Sequence, residues 1–203
     1  MPKDRYFAQV VSLACHDLRT PLATVHGFAR TIERLPPTDE RTGRYIGLIV
    51  EGSSQIAELL ERLALVSRIE RGAYEPALQR LDSFELAQAA AASVAVGDVA
   101  VSGRGAEVEI DPVQSERSIA ALLVAAIRHG DSERLLCEVH GPELEIRPVS
   151  EESRRILLGE DLRDFGAAAA GIHLEALGGS VAVEEDVLLV RLPTSTDGTD
   201  AGP

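Results

Sequence analysis

The sequence predicts an α-helical hairpin followed by an α/β sandwich, and three observations carry that prediction. Apolar residues recur in alternating steps of four and three from Phe7 to Leu35 and again from Tyr45 to Val66, the heptad seam of helices packed in a bundle. Between the two seams stands Leu35-Pro36-Pro37-Thr38, which stops one helix and can start the next. After Pro76 the texture changes to short β-rich runs interleaved with Ala-rich helical stretches, the pattern of helices on one face of a mixed sheet.

The first seam reads Phe7, Val11, Ala14, Leu18, Pro21, Val25, Phe28, Ile32, Leu35. Thr38 is the expected N-cap of the second helix, with Asp39 and Glu40 where the helix dipole favours acids. The second seam is Tyr45, Ile49, Gly52, Ile56, Leu59, Leu63, Val66, and Gly72 with Pro76 supplies the stop. Two long helices and a short loop make an antiparallel hairpin, expected over residues 1–75. Val10, Leu13, Leu22, Ile46, Leu48 and Leu60 widen its apolar face beyond what one partner helix covers. A second copy closing a four-helix bundle, hence a homodimer, is expected; the competing arrangement packs this face on the chain's own second domain.

The second domain is expected over residues 76–193. A helix from Phe84 to Ala95 precedes β runs at Val99–Val101 and Glu107–Ile110, and Asp111-Pro112 opens a helix through Arg128. Strands follow at Leu135–His140 and Leu144–Pro148, then a helix from about Leu162 to Leu177 and a hairpin of Ser180–Glu184 with Val187–Leu192. The tail Thr194–Pro203 is small and polar, and disorder is expected there.

Composition narrows the function. Aromatics are 3% and tryptophan is absent, so the core must be aliphatic. The two cysteines, Cys15 and Cys137, lie in different segments outside any CxxC pair, which argues against a disulfide framework or a zinc site. With no signal-peptide stretch and no bilayer-length apolar run, a soluble cytoplasmic protein is expected, without a membrane partner. Residues 1–75 are neutral, ten Lys+Arg against ten Asp+Glu, so the net −13 falls entirely on the remainder. Such an acidic half repels polyanions and argues against nucleic acid.

The chemistry gathers at Cys15-His16-Asp17-Leu18-Arg19-Thr20-Pro21-Leu22. His16 falls midway between the seam residues Ala14 and Leu18; at about 100° per residue it points outward. Asp17 can accept from Nδ1–H and leave the Nε2 lone pair free. Thr20, four residues on, shares the face of His16. Pro21 has no N–H for the Asp17 carbonyl and bends the helix beside the histidine. An imidazole so placed can take up a phosphoryl group and hand it on.

Ser12 to Leu22 resembles the H-box of histidine kinases, and residues from about 4 to 75 resemble their dimerisation and histidine-phosphotransfer domain. The run Leu65-Val66-Ser67-Arg68-Ile69-Glu70-Arg71-Gly72 is typical of that domain's second helix. The resemblance implies that His16 is the phosphoacceptor and Asp17 its acid–base neighbour. It also implies that Thr20 positions water or a partner's aspartyl phosphate.

The second half resembles the family's ATP-binding sandwich in outline but lacks its working residues. Ala121 and Ala125 stand where the resemblance implies asparagines, one of them for Mg²⁺, and alanine offers no oxygen. Arg147-Pro148-Val149-Ser150 replaces the Asp-x-Gly-x-Gly stretch that would read adenine. The lid shrinks to about Glu151–Gly159, and Phe165–Gly171 is a remnant of the glycine box. A degenerate ATPase-like domain is expected, with no cofactor of its own. His26, His129, His140 and His173 are expected in surface or capping roles, not as metal ligands, and Cys137 in the core.

These readings converge on a dimeric histidine phosphotransfer protein of a two-component phosphorelay. Its expected partners are response-regulator receiver domains, which would also supply any Mg²⁺. The alternatives are an ATP-dependent autokinase with an atypical site, and a receiver phosphatase or dimeric scaffold.

Overall fold

The two heptad seams fold as α1 (Lys3–Ile32) and α2 (Arg41–Glu70). A computed structural model describes residues 3–32, 34–35 and 41–194, with the backbone alone for residues 3–9, 12 and 15. The Pro36-Pro37 stop, the Thr38 cap and all of the expected tail beyond Thr194 lie outside the described residues. The chain divides into two compact units, Met1–Glu70 and Arg71–Pro203.

In the first unit the helices run antiparallel. Near the turn the Phe28 ring stacks on Tyr45 with centroids 5.2 Å apart, and further along Gly52 lies against Pro21 and Val25. Val10, Ala14, Leu65 and Val66 are buried. The buried stripe passes through Val10 instead of the expected seam residue Val11, which is half-buried. A helix of 3.6 residues per turn drifts by about 20° per heptad against a 3.5 repeat, so the seam slips near the end of a long helix. Gly72, just past α2, takes φ +67°, the left-handed stop that a residue without a Cβ provides. Leu22, Ile46, Val50 and Leu60 remain 49–59% exposed on this unit.

The second unit runs β1 (Gln79–Asp82), α3 (Ser83–Ala92), β2 (Asp98–Gly105), β3 (Glu107–Ile110), α4 (Pro112–His129), β4 (Arg134–Gly141) and β5 (Glu143–Arg147). It continues through α5 (Glu151–Leu157), α6 (Phe165–Ala176), β6 (Ser180–Glu184) and β7 (Val187–Arg191). Among the described residues five strands form one sheet in the order β2-β4-β5-β7-β6, with β2 and β4 parallel and the other neighbours antiparallel. β1 and β3 form a separate antiparallel ribbon. Alternation sends Leu135, Cys137, Val139, Leu144, Ile146, Leu188 and Val190 into the core and leaves Glu138, His140 and Arg191 on the other face.

Helix starts in this unit are set by capping side chains. Asp82, Asp111, Ser150 and Asp164 each accept a hydrogen bond from a first-turn backbone N–H. The Asp164 cap explains why α6 opens at Phe165 and not at Leu162. β1 and α5 were not expected from the sequence. The stretch read as a shortened lid instead begins with α5, whose Ile156 and Leu157 are buried in the core.

Candidate phosphoacceptor site

His16 projects from α1 with its side chain 73% exposed, two residues past the fully buried Ala14. Its Nδ1 lies 3.1 Å from Oδ1 of Asp17. A carboxylate only accepts, so Nδ1 carries the proton and Nε2 keeps a lone pair directed away from Asp17. Thr20 is exposed on the same helical face one turn along. Pro21 is buried within α1, and the helix continues through it.

Two features shape the backbone beneath this face. Pro21 gives no N–H to the Asp17 carbonyl. Thr24 turns its hydroxyl back onto the Thr20 carbonyl at 3.2 Å, a side-chain bond that opens a helix slightly. Across the hairpin Gly52 is buried here: a Cβ would meet Val25 Cγ2 at 2.9 Å and the Pro21 carbonyl oxygen at 3.3 Å. The missing side chain on α2 therefore makes room for the proline turn of α1.

Several positions that the sequence compared with a nucleotide site are buried. Ala121 and Ala125 are buried on α4, and Ile156, Leu157 and Phe165 are buried with them in the second unit. Asp164 caps α6 through the Ala167 N–H at 3.0 Å. The same carboxylate takes Arg128 at 3.2 Å and His129 Nε2 at 3.1 Å. Arg147 is ion-paired with Glu138 on the neighbouring strand.

Histidines divide three ways. His26 is exposed and His129 supports a cap, within the roles expected of them. His173 corrects the expectation: it is fully buried on α6, neither at the surface nor at a cap. Burial pushes its imidazole down to about 4, only partly opposed by the charge of Asp111. His140 converges with Glu138 and Glu145 on the outer sheet face. There Arg147 is already ion-paired with Glu138, one of these carboxylates. Cys137 is core, as expected, and desolvation raises its thiol to about 12, leaving it unreactive. The side chain of Cys15 lies outside the described residues.

Sequence reasoning missed the Asp164 cluster and the surroundings of His173. An acid directly before the apolar helix 165–176 was a usable cap signal for the first. For the second no local signal existed.

Comparison with known proteins bears on this geometry. The His Kinase A (phospho-acceptor) domain matches residues 8–72, covering most of both helices of the hairpin and including His16. The hairpin belongs to the His Kinase A domain family. The sensor protein CseC of Streptomyces coelicolor is 35% identical over 127 residues, 61% of this chain and 23% of its own. A probable sensor histidine kinase of Mycobacterium tuberculosis, TcrY, is 31% identical over 64 residues, 32% of this chain and 14% of its own. This chain thus spans less than a quarter of the length of either curated relative.

Among solved structures, the Acinetobacter baumannii histidine kinase AdeS superposes with a TM-score of 0.64 at 17% identity, covering 89% of this chain and 98% of its own. A bacterial phosphotransferase superposes at 0.51 and 16% identity, covering 94% and 96%. At these identities the likeness shows the fold, a helical hairpin followed by an ATPase-like α/β unit. Among the described residues no helix of this chain is long and apolar enough to cross a membrane.

Proposed function

We propose that this chain is a histidine phosphotransferase of a two-component system, relaying phosphoryl groups between His16 and the aspartates of receiver domains. In the transfer, His16 Nε2 attacks the phosphorus of a receiver's aspartyl phosphate, the P–O bond to the aspartate breaks, and its carboxylate leaves with the electron pair. The Nδ1 proton stays in the hydrogen bond to Asp17, whose charge balances the positive charge that develops on the ring. Thr20, on the same exposed face, contacts the incoming aspartyl phosphate. The receiver brings the Mg²⁺ that neutralises the phosphoryl oxygens; positioning and charge neutralisation are what such a transfer needs.

The observation that carries the choice of donor is the burial of Ala121 and Ala125 in the core of the second unit. Neither side chain can ligate a metal, and Ile156, Leu157 and Phe165 are also buried in this unit. The exposed row Leu22, Ile46, Val50 and Leu60 supports closure by a second copy into a four-helix bundle.

A second reading, ATP-dependent autokinase, is favoured by the relatives, two sensor proteins of which one is named a probable histidine kinase. Labelled ATP with Mg²⁺ and a labelled phospho-receiver separate the two. The phosphotransferase takes label from the receiver alone; label from ATP that vanishes in His16→Ala establishes the autokinase. Loss of receiver phosphate with no label on this chain points to a receiver phosphatase.

A further inference from the structure

Tyr74 comes two residues after the left-handed Gly72, in the segment that leads away from α2. Its hydroxyl donates to Asp111 Oδ2 at 3.2 Å and lies 3.0 Å from His173 Nε2. Its ring meets the His173 ring edge-on, centroids 5.6 Å apart. Beyond it, the N–H of Ala77 donates to the same Asp111 oxygen at 3.2 Å. On the far side of the imidazole, Ser118 Oγ lies 2.9 Å from Nδ1.

One proton arrangement satisfies every partner. Ser118 O–H donates to Nδ1, Nε2–H donates to the Tyr74 oxygen, and the Tyr74 O–H donates to the Asp111 carboxylate. The chain joins three places in the second unit: the segment after α2, the start and second turn of α4, and the last turn of α6. Asp111, Ser118 and His173 are all buried, where an unpaired polar group is costly, so each member depends on the others.

We infer that Tyr74 is a latch: its hydroxyl, seated between Asp111 and His173, holds the segment that follows α2 onto the second unit. The latch then stands two residues past Gly72, near the start of the second unit. Without it, this opening segment of the second unit would be held less firmly.

Hydrogen exchange on the full chain tests this. Tyr74→Phe keeps the ring and removes the hydroxyl, and it should speed exchange of the Ala77 amide by about tenfold. Trypsin should cleave after Arg71 faster by a similar factor. Asp111→Asn, which keeps a competent cap for α4, should do the same. The Leu122 and Leu123 amides, deep in α4, should keep their protection in both variants. Unchanged exchange at Ala77 overturns the latch. So does an equal loss of protection at Leu122 and Leu123, because the hydroxyl then serves only the general stability of the unit.

Discussion

Gly52 of α2 packs directly against Pro21 of α1, with the Pro21 carbonyl oxygen 3.3 Å from where a Cβ on residue 52 would stand. The second helix lacks a side chain where the first carries Pro21, five residues beyond His16. A β-branched side chain there has no space: even its first carbon would press Val25 Cγ2 at 2.9 Å. Gly52→Val should destabilise the hairpin by about 1–3 kcal/mol, the usual cost of overpacking a filled site. Thermal unfolding followed by circular dichroism would show it as a lowered Tm.

The Asp17 carboxylate should matter through its charge. Asp17→Asn keeps an oxygen that can accept from Nδ1–H but removes the negative charge beside the ring. Losing a charge-assisted bond costs about 1.5 kcal/mol, or on the order of tenfold in the transfer step. Rapid-quench measurement of phosphotransfer from a labelled receiver should find that slowing with little change in receiver affinity.

The exposed apolar row gives a prediction about assembly. If Leu22, Ile46, Val50 and Leu60 meet a second copy, Ile46→Glu buries a charge at the interface. Sedimentation equilibrium should find the unaltered chain dimeric and this variant monomeric at micromolar concentration. A monomeric parent chain would contradict the proposed bundle.

His173 sets a pH dependence. Its folded value of about 4 lies below the ordinary 6.5, so on acidification the unfolded chain takes up a proton before the folded one does. The stability it supports is complete above pH 6.5 and falls as pH drops toward 4, by roughly 3 kcal/mol across that window. Urea unfolding at pH 7 and pH 5 should show a smaller loss of stability in His173→Gln, which hydrogen-bonds but does not titrate. An equal loss in both proteins would mean that His173 carries none of it.

What was legible in the sequence was local. The hairpin announces itself through two long heptad patterns. His16 and Thr20 share a face because they stand four residues apart on one helix, and Asp17 reaches His16 as its neighbour in sequence. β1 was invisible because Gln79-Arg80-Leu81-Asp82 has a single aliphatic residue and pairs with a strand about 28 positions away. α5 hid because its Glu-Glu-Ser-Arg-Arg opening reads as a solvated loop. The burial of His173 could not be read either, since Tyr74 and Ser118 stand 99 and 55 residues away. Long-range packing leaves no periodicity to read.

The most direct test of the relay is phosphorus NMR of the full chain mixed with a phosphorylated receiver, set beside the same chain with ATP and Mg²⁺. The account predicts a phosphohistidine resonance from the receiver, absent in His16→Ala, and none from ATP. A phosphohistidine resonance from ATP, lost in His16→Ala, would contradict it.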